Sequence, residues 1–171
     1  GQARELALAY LAGIGSGEVG IFPTTFREET VSDLFGEQVV LVGGMVALAK
    51  ASFDRLVEAG VSPRMAFIDC VHEIKYLADL IQARGIAGMY EAISDTAEYG
   101  ARQIEDDIAG PELRGVFDKA MAAIEDGSFA KRWVEAYEAG DAMREDRKRD
   151  RELPVEAAGA ELRSRIYGSW K

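Results

Sequence analysis

Nearly every strong apolar periodicity in this chain is helical, and no strand–glycine-loop–helix unit appears anywhere along it. That pattern confines the chain to an all-α architecture. Gln2 to Ala12 places Leu6, Ala9, Tyr10 and Gly13 at helical spacing, and the run Gly13-Ile14-Gly15-Ser16-Gly17 then breaks the helix. Because this glycine run follows a helix and not a strand, it reads as a turn and not as a dinucleotide fingerprint. Val19 to Phe26, with Pro23, reads as an extended crossing segment. A helix is predicted from Glu28 to Gly43-Gly44, and another from Met45 to Glu58. Ser62-Pro63 supplies an N-cap hydroxyl and a proline at the first helical position, predicting a long helix to about Gln82 that stops before Gly85. A short helix, Ile86 to Glu91, follows. Ser94 begins a helix-start pattern, and further helices are predicted over Pro111 to Glu125, Ser128 to Glu138 and Pro154 to Ile166. The highly charged stretch Met143 to Arg151 is either an exposed helix or a poorly ordered link.

Length and charge narrow the classes of function. A chain of 171 residues fits one domain, or one domain with an appendage. At this size about 68–70% of the extended-chain surface is expected to be buried, enough for a sizeable core. The net charge of -10 repels a nucleic-acid backbone, so no nucleic-acid partner is expected. No apolar run is read as long enough to span a bilayer and no signal peptide opens the chain, so no membrane role is expected either. Cys70 is the only cysteine; this excludes an internal disulfide and suggests a reducing, cytoplasmic setting.

The sharpest local chemistry lies in two acidic pairs. Asp33 and Glu37 are four residues apart, with Gly36 between them, and so share one face of a predicted helix. Asp69 and Glu73 repeat that spacing. Their surroundings, from Met65 to Ile68 and from Ile74 to Leu80, form an apolar stripe expected to be mostly buried. Like charges at this spacing repel, and carboxylates beside so much apolar surface need partners or lose their charge. Four carboxylates without a cysteine or histidine cluster suit hard cations such as Mg²⁺, two of which would match a charge of -4. His72, the sole histidine, is read as a hydrogen-bonded neighbour of Asp69 and not as a zinc ligand, and Lys75 as a charge partner or a solvent-facing residue.

Longer blocks surround these residues: ALAYLAGIG at 7–15, TTFREETVSDLFGEQ at 24–38, FIDCVHEIKYLADLI at 67–81, ISDTAEYG at 93–100, IEDGSFAKRW at 124–133 and LPVEAAGAELR at 153–163. In this order they resemble the C-terminal part of short-form ketol-acid reductoisomerases. The resemblance implies an all-α, knotted helical domain that pairs into an intertwined homodimer. It implies two Mg²⁺ per site, with Asp33 bridging both ions, Glu37 on one of them, and Asp69, Glu73 and Ser94 coming from the other chain. Asp33 and Glu73 would be the catalytic carboxylates. Ser94 would hydrogen-bond the substrate, with Ile93 and Ala97 as nearby pocket surface. The implied substrate is a 2-hydroxy-2-alkyl-3-keto acid, which undergoes an alkyl shift and is then reduced by NADPH.

Two departures qualify that picture. No nucleotide-binding domain is seen in the chain, so NADPH would come through a separate nucleotide-binding domain or subunit, and the chain is not expected to complete the reaction alone. Asp69 stands where the family carries glutamate, one methylene longer. The sequence also diverges after Gly100, at Ala101 to Asp107, and again over 166–171. Two alternatives follow from these changes: a dimerisation or scaffold domain without chemistry, and an isomerase that performs only the alkyl shift.

Overall fold

A computed structural model describes residues 1–140 and 143–166. Among these, every regular element is helical and none is a strand. The chain divides into two compact units, Gly1–Asp33 and Leu34–Lys171.

The first unit opens with helix α1, Gln2–Gly13, followed by a single 3-10 turn, Ser16–Glu18. Residues 20–25 are irregular and exposed, as the proline-containing segment suggests. Helix α2, Phe26–Gly36, begins two residues earlier than its apolar pattern predicts. The cause is a local cap: the Glu28 backbone N–H donates to the Thr25 hydroxyl at 3.1 Å, which satisfies an otherwise orphaned helix-start donor.

In the second unit, Glu37–Leu41 forms a π-helical turn and α3 follows as Gly43–Glu58. Gly43-Gly44 therefore does not end a helix, contrary to expectation. The helical stretch Phe26–Glu58 contains an 18-residue window of mean hydropathy 1.5, none of it buried, and is long and apolar enough to cross a membrane by length and composition alone. This corrects the reading that no apolar run has that length; the correction arises because the wide turn carries the helix through the glycine pair.

Helix α4, Pro63–Phe67, starts on its predicted cap, with the Met65 N–H donating to the Ser62 hydroxyl at 3.4 Å. A second π-helical turn, Ile68–His72, leads into α5, Ile74–Ala92. At Gly85 the backbone takes φ 71° and ψ 177°, a conformation open to glycine almost alone, and the helix bends where the sequence predicts a stop. The remaining helices are α6, Asp95–Ile108, α7, Pro111–Glu125, α8, Ser128–Glu138, α9, Arg144–Arg151, and α10, Pro154–Ile166. The charged stretch is thus an exposed helix, tethered by an ion pair between Lys50 and Asp150 at 2.8 Å. Apart from its first residue, the divergent ending lies outside the described residues.

The core is small. Phe53 from α3, Ala66 and Phe67 from α4, and Val155, Ala158 and Leu162 from α10 form one buried cluster. Phe53 is completely buried. Leu56, Val57, Ile68, Cys70 and Val71 pack at its edge. Much of the surface beside it is apolar: Val40, Leu41, Val42 and Leu48 around the start of α3 are 57–62% exposed.

Candidate functional site

Of the two acidic pairs, Asp33 is the last residue of the first unit and lies in α2, while Glu37 opens the first π-helical turn in the second unit. Both side chains are exposed. Asp69 lies within the second π-helical turn, and Glu73 immediately follows it. They too are exposed. The expected burial of the surrounding stripe is met only on one side. Ala66 and Phe67 enter the core, but Met65 and Tyr76 are 46% and 51% exposed. Ala66 and Phe67 are buried because α4 packs against α3 and α10.

The π-helical turns were not legible as such. In each, a backbone N–H bonds five residues back: Val42 to the Glu37 carbonyl at 3.0 Å, and Glu73 to the Ile68 carbonyl at 3.1 Å. Both acidic pairs adjoin or span a turn wound with one extra residue, where their spacing predicts a regular helix.

His72 meets Tyr76, with Nε2 and the phenol oxygen 3.2 Å apart and the rings edge-on. Lys75 pairs with Asp79 one turn on. Partial burial, and secondly the adjacent Asp69 carboxylate, push the Cys70 thiol above its ordinary pKa. It is therefore a protonated, weakly nucleophilic side chain at neutral pH, in keeping with a packing role.

Ser94 caps α6: its hydroxyl oxygen accepts the Ala97 N–H at 3.2 Å. That bond uses one lone pair. The O–H remains available to donate, so capping and ligand binding are compatible at this residue. Ile93, half-buried, and Ala97, exposed, flank it. The divergent 101–107 segment continues α6 without interruption. Its Arg102 guanidinium lies 3.9 Å from the centre of the Tyr90 ring on α5 and bonds Glu98 at 3.3 Å, holding the two helices together beside Ser94. The sequence reading missed this clamp because Tyr90 and Arg102 lie on different helices, which meet only when the chain turns at Ser94.

Among the described residues, no group of three or more His, Cys, Asp or Glu side chains is placed to hold a metal ion. The expectation that these carboxylates gather two Mg²⁺ is thus corrected: the described residues of one chain do not fit that group.

The family model for the ketol-acid reductoisomerase C-terminal domain matches residues 26–167. Among solved structures, the chain is similar to an NADH-preferring ketol-acid reductoisomerase from an uncultured archean, with a TM-score of 0.92 and 43% sequence identity. The match covers 97% of this chain and 50% of that one, so this chain spans half the length of that protein. That protein's preference for NADH overturns the expectation of NADPH, which came from the family at large and from no residue of this chain.

Proposed function

The chain belongs to the ketol-acid reductoisomerase family, as its C-terminal domain, and from that premise we propose that it is the helical half of such an enzyme's reaction site. In this reading it receives a 2-hydroxy-2-alkyl-3-keto acid, and a nucleotide-binding domain or subunit brings the nicotinamide. By likeness to the archean enzyme that nicotinamide is NADH. What supports the reading is that Asp33, Glu37, Asp69, Glu73 and Ser94 are each solvent-exposed and each lie within the residues that the family model matches.

A site built from these residues needs a second copy of the chain. The uncovered apolar residues at the start of α3 support a homodimer; the family resemblance adds that it is intertwined and knotted, with α2 of one copy approaching α5 of the other.

The alkyl shift sets the roles. The proton leaves the C2 hydroxyl as its C2–O bond becomes a carbonyl. The alkyl group moves with its electron pair to C3, and the C3 carbonyl oxygen takes up charge and then a proton. Glu73 and Asp33 are the carboxylates assigned to that proton traffic. Ser94 donates its O–H to the substrate carboxylate or the adjacent oxygen, and Ile93 and Ala97 line the alkyl side. Exclusion of water and the hydride step belong to the nucleotide-binding part.

The second reading, a dimerisation domain without chemistry, is favoured by one observation: among the described residues no three His, Cys, Asp or Glu side chains form a group that could hold a metal ion. Sedimentation equilibrium and calorimetric titration with the hydroxamate of oxalic acid separate the two. The enzymatic reading expects a dimer and saturable binding that Ser94→Ala and Asp33→Asn weaken about tenfold or more. A dimer that binds nothing leaves only the scaffold; a monomer at all concentrations removes both.

A further inference from the structure

Two π-helical turns occur among the described helices, and each touches a carboxylate pair. The first begins at Glu37. The second contains Asp69 and is closed by the Glu73 N–H. A turn of this kind is uncommon, and it holds one residue more than the helix on either side of it needs. Here the flanking residues are anchored. Before the first turn, Phe35 packs edge-on against Phe117 of α7, with centroids 5.7 Å apart; after it, Phe53 fills the core. Before the second turn, Phe67 is buried in the same core; beyond it, Met89 of α5 is buried. The extra residue is therefore absorbed between fixed points, and the side chains inside the turn are displaced from where a regular helix would hold them.

The first turn also imposes a sequence requirement. A Cβ at Gly43 would lie 2.1 Å from the Gln38 carbonyl oxygen, and one at Gly44 would lie 2.0 Å from that of Val39. Both contacts are with backbone, which cannot swing away as a side-chain tip can. Gln38, within this turn, also has a buried side-chain Nε2 with no acceptor among the described residues.

From this geometry we propose that the two wide turns are positioning devices for the acidic residues, and that Gly43 and Gly44 are positioning residues because they alone admit the first turn. The inference rests on the carboxylate site described under the proposed function and deepens it. Each turn trades helical regularity for the placement of a carboxylate: Glu37 in the first, Asp69 and Glu73 in the second.

The test uses the full chain in three forms: unaltered, with Val40 deleted, and with Val71 deleted. Each deletion removes the extra residue and lets the helix close regularly. Thermal unfolding, sedimentation and titration with the hydroxamate of oxalic acid are measured on each. Expected are melting temperatures equal to or above that of the unaltered chain, dimers throughout, and binding weakened at least tenfold by each deletion. Gly44→Ala should lower the melting temperature in the unaltered chain and not in the Val40-deleted one, because the close carbonyl is gone; the reverse pattern would overturn the geometric argument. Deleted chains that bind as well as the unaltered one would overturn the positioning role and leave the site reading intact. Deleted chains that fail to fold would show that the turns serve the fold, which also overturns it. An unaltered chain that binds nothing would remove the site reading and this inference together, and is told apart by that first titration alone.

Discussion

Replacing Gly44 with alanine tests whether the wide turn is real and rigid. In a regular helix interior this change stabilises by about 1 kcal/mol, because alanine has less backbone freedom to lose. At Gly44 the added Cβ meets the Val39 carbonyl oxygen at 2.0 Å. Ordinary contact is about 3.5 Å, so the turn must open by about 1.5 Å. Overpacking of this kind costs about 1–3 kcal/mol, and the upper part of that range applies because both sides of the contact are backbone. Set against the propensity gain, the net loss is about 2 kcal/mol. For a domain of this size that corresponds to a melting temperature lower by about 4–8 °C. Gly115 in α7 is the control: nothing lies within 4 Å of its Cβ position, so Gly115→Ala should raise the melting temperature by a few degrees. Calorimetric scans at one protein concentration compare the two, since a dimer's melting temperature shifts with concentration. If Gly44→Ala stabilises as Gly115→Ala does, the turn relaxes without cost and the reasoning fails.

Three further outcomes are expected. Ser94→Ala removes the α6 cap and should cost about 1 kcal/mol, whereas Ser94→Asp keeps an accepting oxygen and should hold the melting temperature while still losing the O–H donor; hydroxamate binding that survives in Ser94→Asp would remove Ser94 from the site. Asp126 accepts the Ser128 backbone N–H at 2.8 Å, and that bond first, with the Ser128 hydroxyl second, holds its carboxyl below the usual range. Its stabilising contribution is therefore present above the ordinary carboxylate pKa and is lost as pH falls through the lowered folded value, so the melting curves of the unaltered chain and Asp126→Asn should converge in acid and separate towards neutral pH. Cys70 should react slowly with an aromatic disulfide at pH 8, and Asp69→Asn should speed the reaction by removing one of the two causes that raise its pKa; an unchanged rate would mean that Asp69 does not act on the thiol.

Helical spacing carried much of this architecture, but it reads only what neighbouring residues decide. Ser62-Pro63 starts α4 because a cap is a contact across three residues, and the backbone at Gly85 bends because its φ of 71° suits glycine. Gly43-Gly44 misled for the same local reason. Glycine weakens a helix on average, yet here it lets a carbonyl approach that any Cβ would block. The candidate residues were legible from their blocks, and the structure places Ser94 as the cap its pattern foretold. The burial of the stripe around Asp69 was not legible, since burial depends on which faces find partners.

Residue order alone therefore determined the helical class, most helix boundaries and the identities of the acidic groups, because propensity, capping and periodicity act within a few residues. Tertiary structure decided where the core lies, that the acidic pairs adjoin widened turns, and that Tyr90 receives Arg102. Those outcomes depend on how separate elements pack against one another. A hydrogen bond shifted by one residue, or a ring met by a distant guanidinium, leaves no periodic mark in the sequence.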